Sequence, residues 1–354
     1  VSVLLASDGG YLIGGHTRSN DGDVSINKGW SDIWLVKLSE SGSIEWEKTY
    51  GGSDWDQCSS MRMVNDNSYI IAGTTASNDG DVTGNHGSND NWIVKVDQMG
   101  NIEWQKCIGG SDYDQPSDII LASDGYYYVL GYALSTDGDV TDAIGHTDFW
   151  LVKLDETGTI IWTHSYGGTD YDDGYSLCEY EGDIIMTGKT NSVNGDVSLH
   201  IGNYDIWTLA VSTEGNIKWE KSLGGLLDDN ALSIIDADPG LMIAGSSRSS
   251  DGHLTENFGG SDFWVLQLEE VEAVNEMGAH NTRIYPNPVK DGRIYVHSSV
   301  PCFLELISVS GTVVLSVEIS DSDQSIPLGS LYSGIYFARF VSSNGIQIEK
   351  ILIE

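Results

Sequence analysis

Asp8-Gly-Gly-Tyr-Leu-Ile-Gly-Gly15 is the stretch that decides the fold, because the chain repeats it at nearly constant intervals. It returns as Asp66-Asn-Ser-Tyr-Ile-Ile-Ala-Gly73 and as Asp124-Gly-Tyr-Tyr-Tyr-Val-Leu-Gly131, and in looser form near Gly182 and Gly240. The period is 58, 58, 57 and 57 residues, measured along the series Gly15, Gly73, Gly131, Gly188 and Gly245. Such self-similarity is typical of proteins that stack one supersecondary unit many times.

Each unit is predicted to contain four short strands separated by turn residues. In the second unit these strands cover residues 60–64, 69–74, 91–96 and 102–107. The third strand is largely apolar on both faces, and one face begins with a tryptophan, at Trp34, Trp92, Trp150, Trp207 and Trp264. A second tryptophan marks the fourth strand, at Trp46, Trp104, Trp162 and Trp219. Strands that are apolar on both faces belong to sheets stacked between other sheets.

The sequence therefore predicts an all-β protein, a β-propeller of about five four-stranded blades, with a β-solenoid as the alternative. The five units account for nineteen strands. We expect a twentieth, ring-closing strand from a segment upstream of Val1, which lies in the middle of a repeat, or from residues 271–279. A longer upstream segment would add blades. By this interpretation residues 1–269 are the propeller array, with a truncated N-terminus, residues 270–282 are a linker and residues 283–354 are a second domain.

Composition limits the partners that the chain can have. Lys and Arg total 17 against 53 Asp and Glu, a formal net charge of −36. A surface of this charge repels phosphate backbones, so we expect no nucleic-acid partner. No apolar run approaches the ~20 residues of a membrane-spanning helix, so we expect no membrane span. The four cysteines fall at unrelated repeat positions, which predicts mostly buried thiols, with a Cys58–Cys107 disulfide as the alternative.

A carboxylate-rich loop follows the second strand of each unit. It reads Asn20-Asp-Gly-Asp-Val24 in the first unit, and another aspartate comes nine residues after its second aspartate. Hard cations such as Ca²⁺ prefer oxygen donors of this kind. The loop therefore predicts calcium as a cofactor, with ligands at Asp21, Asp23, Asp32, Asp79, Asp81, Asp90, Asp137, Asp139, Asp148, Asp196 and Asp205. The alternative is structural, because Asp-Gly forms turns and aspartates cap loops through backbone N–H groups.

A second acidic motif lies in the connection between units. It reads Gly51-Gly-Ser-Asp-Trp-Asp56 at its first occurrence, and its aromatic position is occupied by Trp55, Tyr113 and Tyr171 in successive copies. An exposed aromatic ring beside polar groups is suited to stacking on a sugar, which predicts contact with a glycan ligand. Packing between neighbouring blades is the alternative explanation for the same residues.

The acidic residues do not indicate an active site. A glycosidase needs two carboxylates in unlike environments, and such a pair breaks a repeat, whereas the acids here follow the repeat. The sequence also lacks a nucleophile elbow, a zinc-protease helix motif and a phosphate loop. We therefore expect a binding or surface-display module for glycan or protein. A polysaccharide-acting enzyme, glycosidase or lyase, and a purely structural spacer are the alternatives.

After the fifth unit the period stops and a series of short strands predicts a small β-sandwich. Four motifs follow in order: Ile284-Tyr-Pro-Asn-Pro288, Ile307-Ser-Val-Ser-Gly311, Leu331-Tyr-Ser-Gly-Ile-Tyr-Phe-Ala-Arg339 and Glu349-Lys-Ile-Leu-Ile-Glu354. They resemble the C-terminal (type A) sorting domain of type IX secretion cargo in Bacteroidetes-type bacteria, with motif residues Tyr285, Pro286, Asn287, Pro288, Gly334, Tyr336 and Lys350.

This resemblance implies an export address, the type IX secretion machinery as a partner and a secreted or outer-surface location. In the family the domain is commonly removed, and the mature protein is released or attached to surface lipopolysaccharide. The array is also similar to propeller-type repeats found in such cargo. Glu354 departs from the family pattern, which often ends in a basic residue.

Overall fold

The structure is a computed structural model, and it describes residues 2–64, 68–254, 256–268, 283–285, 288–290, 292–298, 301–308, 312–319, 323–329, 331–342 and 345–353. Within these ranges every secondary-structure element is a β-strand. The chain divides into two compact units, Val1–Glu270 and Val271–Glu354. None of the described residues forms a helix long and apolar enough to cross a membrane.

The first unit is an array of antiparallel sheets, each with its strands in chain order. Blade 1 contains β1 (Ser2–Leu5), β2 (Tyr11–Thr17), β3 (Asp32–Leu38) and β4 (Ile44–Tyr50). Blade 2 contains β5 (Asp56–Met63), β6 (Tyr69–Thr75), β7 (Asp90–Val96) and β8 (Ile102–Ile108). Blade 3 contains β9 (Asp114–Leu121), β10 (Tyr127–Ala133), β11 (Asp148–Leu154) and β12 (Ile160–Tyr166). Blade 4 contains β13 (Asp172–Tyr180), β14 (Asp183–Thr190), β15 (Asp205–Val211) and β16 (Ile217–Leu223). Blade 5 contains β17 (Asp229–Asp236), β18 (Leu241–Ser247) and β19 (Asp262–Leu268).

Consecutive blades pack face to face, which confirms the propeller prediction. The first strands of neighbouring blades contact one another, so they are the innermost strands. Four apolar clusters join blade 1 to 2, 2 to 3, 3 to 4 and 4 to 5. The third-strand tryptophan faces the preceding blade, as Trp207 does against Phe149 with ring centroids 4.9 Å apart, edge to face. Trp92, Trp150 and Trp207 are fully buried, as packing residues of a propeller must be.

The strand count also follows the sequence. The array has nineteen strands in the described residues, and blade 5 is a three-stranded sheet there. The predicted source of a twentieth strand, residues 271–279, and the predicted linker, residues 270–282, lie outside the described residues. All four cysteines are free thiols, so the alternative Cys58–Cys107 disulfide is not formed.

A close approach between two backbones explains why the position that marks the repeat period is glycine. The innermost strand carries a β-bulge in blades 2 to 5, which leaves one residue unpaired, at Ser59, Ser117, Tyr175 and Leu232. Beside this bulge the backbone of the second strand approaches closely. A Cβ on Gly131 would lie 2.0 Å from the carbonyl oxygen of Gln115, and one on Gly73 would lie 2.4 Å from that of Gln57. Only glycine fits this position.

The second unit is a sandwich of two sheets. Its strands are β20 (Arg283–Tyr285), β21 (Arg293–His297), β22 (Cys302–Ser308), β23 (Val313–Ile319), β24 (Asp323–Pro327), β25 (Gly334–Ser342) and β26 (Gly345–Ile353). One sheet has the order β20-β21-β24 and the other β23-β22-β25-β26. Alternate residues of both sheets form one apolar core, which includes Ile294, Leu304 and Phe340. The backbone N–H of Val289 donates to Leu352 at 2.7 Å, so the start and the end of this unit lie side by side.

The packing of tryptophans between blades predicts how mutations will act. Trp207→Ala removes a fully buried indole and leaves a cavity between blades 3 and 4, and we expect it to reduce the free energy of unfolding by about 3–5 kcal/mol. Trp264→Ala is the matched control, because Trp264 has the same repeat position in blade 5 but is only part-buried. Urea-induced unfolding should show a clearly smaller loss for the control. Equal losses would contradict blade-to-blade burial as the source of stability.

Candidate functional site

The predicted calcium ligands fall into two structural classes, and the first comprises the aspartates that begin the third strand. Asp32, Asp90, Asp148 and Asp205 are completely or almost completely buried. In each, one carboxylate oxygen accepts the backbone N–H of the residue four positions earlier, as Asp148 Oδ2 does from Ile144 at 2.7 Å. These aspartates hold the long loop against the start of its strand.

The second class comprises the aspartates of the Asp-Gly-Asp loop, which bind the connection that leads into their own blade. Asp79 Oδ1 accepts the N–H of Ser53 at 2.7 Å, and Asp81 Oδ2 accepts the N–H of Gly51 at 3.2 Å. The same bonds recur one blade further on, from Ser111 to Asp137 and from Gly109 to Asp139, and Asp196 accepts the N–H of Gly167. Asp21 and Asp23 are exposed in blade 1.

The loop carboxylates are therefore engaged mainly by backbone N–H groups. Among the residues that the structure describes, no three Asp, Glu, His or Cys side chains cluster so that they could hold a metal ion. This arrangement matches the structural alternative, in which Asp-Gly turns and capping aspartates order the loop. The assignment of calcium to these eleven aspartates stays a prediction.

A pair of buried carboxylates at each blade junction was not foreseen from the sequence. The last aspartate of the Gly-Gly-Ser-Asp-Trp-Asp motif, at Asp56, Asp114, Asp172 and Asp229, is completely buried and faces the third-strand aspartate of the preceding blade. A Cβ on Gly167 would lie 2.4 Å from Asp172 Oδ2 and 2.8 Å from Asp148 Oδ1. The glycine therefore makes room for two carboxylates.

The two members of each pair differ in their hydrogen bonds. Asp172 accepts from the N–H of Gly168, the hydroxyl of Ser192 and the hydroxyl of Thr190. Asp148 Oδ1, by contrast, has no hydrogen-bond partner. Burial, together with the facing Asp172 carboxylate, raises the pKa of Asp148 to about 6 against the lowering effect of the N–H groups of Ile144 and Gly145. These pairs are structural elements of the blade junction.

The predicted aromatic residues lie on the connections between blades. Trp55 forms a parallel β-bridge with Ser31, and Tyr113 and Tyr171 form the equivalent bridges with Asn89 and Thr147. Trp55 and Tyr113 line one cleft of about 490 Å³. Its other walls are a carboxylate, two amides and small polar or apolar side chains, from Asp54, Gln57, Asn89, Thr74, Ser88 and Ala76.

Each of the three rings is supported from one side by another group. The Arg18 guanidinium lies 4.3 Å from the centroid of the Trp55 ring. Tyr132 stacks on Tyr113 with centroids 6.4 Å apart. His146 stacks on Tyr171 at 4.9 Å. Rings held in this way lose little side-chain freedom when a ligand binds, which favours affinity.

The aromatic surface continues onto blade 4. The Lys189 ammonium lies 5.7 Å from the Tyr175 ring centroid and 4.8 Å from that of Tyr204, and it pairs with Asp173 at 3.1 Å. Tyr175 occupies the bulge of its innermost strand, and bulges often re-aim a side chain at a functional surface. We call this set the aromatic tract, formed by Trp55, Tyr113, Tyr132, Tyr171, Tyr175, Lys189 and Tyr204.

The aromatic tract occupies positions where the blades differ from one another. In blades 1 to 5 the next-to-last residue of the second strand is, in order, His16, Thr74, Tyr132, Lys189 and Ser246. In blades 2 to 5 the second residue of the innermost strand is, in order, Gln57, Gln115, Asp173 and Asn230. The packing positions, in contrast, keep the same aspartate and the same tryptophan in every blade. Arg18, Tyr132, His146, Tyr175, Lys189 and Tyr204 were missed by sequence reasoning, and the signal that could have found them was their departure from the repeat.

The sorting-motif residues are distributed between the core and the surface of the second unit. Tyr336 is buried, whereas Pro288 and Lys350 are exposed. Tyr285 is exposed and stacks on Tyr295 with ring centroids 5.7 Å apart. Gly334 begins β25. Pro286 and Asn287 lie outside the described residues.

The carboxylate pairs predict a pH dependence of stability. Since the native state holds a proton on Asp148 more tightly than the unfolded chain does, its contribution is present below about pH 4 and is lost as the pH rises through about 6. We expect the melting temperature to rise when the pH falls from 7 to 5. In Asp148→Asn the amide can donate to Asp172, so stability at pH 7 should rise by roughly 1–3 kcal/mol and the pH dependence should weaken.

Asp262→Asn is the matched control for this experiment. Asp262 holds the same repeat position and accepts the N–H of Phe258, but blade 5 has no facing carboxylate in the described part of the chain. Thermal unfolding between pH 4.5 and 7.5 should leave the slope of the control close to that of the original chain. A flat profile for the original chain, or a fall in stability for Asp148→Asn at pH 7, would contradict the assignment.

Calcium is tested by thermal unfolding in millimolar Ca²⁺ and again after EDTA. A cation that binds the native state alone raises the melting temperature. If the predicted site exists, calcium should raise it, EDTA should reverse the rise, and Asp81→Asn should abolish it. If neither Ca²⁺ nor EDTA changes the melting temperature, the prediction that the loop binds calcium is wrong.

Comparisons with known proteins bear on both units. The family model "Secretion system C-terminal sorting domain" matches residues 283–354. The regulatory protein FlaEY of Caulobacter vibrioides is 25% identical over 207 residues, which are 54% of this chain and 22% of that protein. The chain therefore spans less than a quarter of the length of this relative.

Two solved structures are similar at low identity. The WD40 β-propeller domain of Doa1 is 14% identical, with 62% of this chain and 58% of that chain covered and a TM-score of 0.37. PorZ of Porphyromonas gingivalis, described as a surface component of the type-IX secretion system, is 12% identical, with 93% and 50% covered and a TM-score of 0.27. The family match and the motifs agree on the C-terminal unit: residues 283–354 are a secretion-system C-terminal sorting domain, which indicates that the chain is secreted or held at the outer cell surface.

Proposed function

We propose that the array is a binding module that takes a neutral glycan in the cleft between Trp55 and Tyr113. The observation that carries this proposal is the composition of that cleft. It combines two aromatic side chains, two amides, one carboxylate and hydroxyl groups in a space of about 490 Å³. A pocket of this volume lies in the range of small-ligand sites, in which a few polar groups orient the ligand.

The groups of the cleft fit the two surfaces of a sugar. The C–H face of a pyranose is apolar and can pack on an aromatic ring, for which Trp55 is suited because Arg18 supports its ring at 4.3 Å. The rim of a sugar carries hydroxyls that both donate and accept. Gln57 and Asn89 can each donate through their amide N–H₂ and accept through their carbonyl oxygen, and Asp54 can accept.

The charge of the chain favours a neutral ligand over an anionic one. The formal net charge is −36, so the field around the array opposes the approach of uronates, sulfated sugars and phosphates. The Asp54 carboxylate lines the cleft, and the Arg18 guanidinium that stacks on Trp55 carries the opposite charge. Binding of a neutral sugar requires no compensation of a ligand charge.

The sorting domain indicates where such binding would take place. A chain exported to the outer surface by its C-terminal domain would present the cleft to material outside the cell. The role that follows is to attach to a polysaccharide of the cell surface or of the environment, or to retain such a polysaccharide there. A protein ligand with exposed aromatic or amide groups is the second class that such a cleft accommodates.

The test is an array of neutral and anionic oligosaccharides, followed by calorimetric titration of the best neutral sugar. Trp55→Ala should weaken its binding at least roughly tenfold, which corresponds to about 1.4 kcal/mol, because the variant lacks the central aromatic surface. Tyr11→Ala is the matched control, since Tyr11 is an exposed aromatic residue at the start of β2, outside the cleft.

The other outcomes separate the alternatives. Preference for anionic sugars, or equal effects of the two variants, would contradict the proposed site. Release of reducing ends from a bound polysaccharide would show an enzyme. If none of the oligosaccharides binds and a pull-down of outer-surface proteins captures no partner, the structural spacer is favoured.

A further inference from the structure

The cleft between Trp55 and Tyr113 has a counterpart one blade further on, between Tyr113 and Tyr171. We call the first the open cleft and the second the filled cleft. Both have an aspartate directly before the first aromatic residue and a glutamine two positions after it, which gives the pairs Asp54/Asp112 and Gln57/Gln115. The two places therefore have the same carboxylate and the same amide, and the size of three other side chains distinguishes them.

The open cleft exists because three of its side chains are small. Together they leave a space of about 490 Å³. In the filled cleft the same repeat positions have large side chains, which gives the pairs Thr74/Tyr132, Ala76/Leu134 and Ser88/His146. The space that a ligand can enter in blade 2 is thus occupied by side chains of the chain itself in blade 3.

The filled cleft shows where rings stack in this kind of junction. Tyr132 stacks on Tyr113 with ring centroids 6.4 Å apart and an interplanar angle of 24°. His146 stacks on Tyr171 with centroids 4.9 Å apart and an angle of 13°. Both aromatic walls of the filled cleft are therefore covered, each by its own ring. The open cleft has the same two walls without these two rings.

A hydroxyl group accompanies one of the stacked rings. The Tyr132 hydroxyl donates to Gln115 Oε1 at 3.2 Å while its ring lies against Tyr113. A sugar unit has the same two features, since it combines an apolar C–H face with hydroxyls at its rim. In the open cleft a sugar on Trp55 can therefore donate to Gln57 in the way that Tyr132 donates one blade further on.

We propose that the ligand of the open cleft is an oligosaccharide that places one sugar ring on Trp55 and a second ring of the same chain on Tyr113. The two sugar rings take the positions that Tyr132 and His146 occupy in the filled cleft. This inference rests on the proposed function, because it specifies which neutral glycan the cleft binds. It requires at least two linked sugar units.

A length series of the neutral sugar that binds best tests the number of rings. Calorimetric titration of the full chain should show binding that is roughly tenfold tighter once the second stacked ring is present, because both aromatic walls are then used. A monosaccharide that binds as tightly as the longer sugars overturns the inference. It leaves the proposed function standing, with a single sugar held by the cleft.

Two substitutions transfer the blocking side chains from the filled cleft to the open one. Thr74→Tyr should cover Trp55, and Ser88→His should cover Tyr113. Each should weaken oligosaccharide binding about tenfold, to the level of the monosaccharide, because one wall is lost. Ser88 is exposed, so its replacement leaves the core unchanged, and circular dichroism should show both variants folded.

Ser246→Tyr and Asn203→His are the matched controls. Ser246 has the repeat position of Thr74 and Asn203 that of Ser88, but they lie in blades 5 and 4, outside the cleft. Both controls should bind the oligosaccharide like the original chain. Losses as large in the controls as in the cleft variants overturn the inference.

The remaining outcomes distinguish this inference from the function on which it rests. If Trp55→Ala weakens binding but Ser88→His does not, one wall suffices, so the second ring is refuted while the glycan site stands. If neither Thr74→Tyr nor Ser88→His weakens binding, the arrangement of the rings is wrong. If no neutral sugar of any length binds, the proposed function and this inference fall together.

Discussion

The whole array depends on the burial of both faces of each sheet. A four-stranded sheet with a tryptophan on one face and branched or aromatic residues on the other cannot be stable alone, because one apolar face would always meet water. Stacking around a common axis solves this, and the indoles of Trp92, Trp150 and Trp207 end up without solvent contact. The tryptophan therefore has to recur in every unit, and so does the glycine that lets the bulged innermost strand approach its neighbour.

Stacking of the sheets buries the glycines of the connections between blades, such as Gly51 and Gly52, and this explains much of the acidity. The backbone N–H groups of Gly51, Gly52 and Ser53 turn away from any sheet and need acceptors. Three aspartates provide them: Asp81, Asp56 and Asp79. A carboxylate that accepts several N–H groups satisfies donors that would otherwise be left unpaired in the interior. The repeated acids are thus part of the blade junction, and the facing carboxylates are its least satisfied element.

The fold could be read from the sequence because its signals are local and repeated. Strands predicted at residues 69–74, 91–96 and 102–107 correspond to Tyr69–Thr75, Asp90–Val96 and Ile102–Ile108. The first strand was predicted too short, as 60–64 in place of Asp56–Met63, because the bulge at Ser59 interrupts the alternation. The roles of Asp79 and Asp148 could not be assigned in the same way. Asp-Gly-Asp is equally suited to a cation and to backbone N–H groups, and the donor to Asp79, the N–H of Ser53, comes from a connection 26 residues away. The carboxylate that faces Asp148, that of Asp172, lies in the next blade.

Trp55, Tyr113 and Tyr171 were predicted from the sequence, but the contacts of the aromatic tract could not be predicted, for a different reason. Its contacts join residues at unlike repeat positions, such as Arg18 with Trp55, Tyr132 with Tyr113 and His146 with Tyr171. No period can predict a contact that each blade makes in its own way. The blade junction and the cleft are nevertheless encoded side by side, since Asp56 is buried at the junction while its neighbour Trp55 lines the cleft. Because the junction fixes the backbone of this loop, the residue at the aromatic position can change from Trp to Tyr to Asp between blades without disturbing the fold. A scaffold that is constant at one residue and free at the next can acquire a binding site without losing stability.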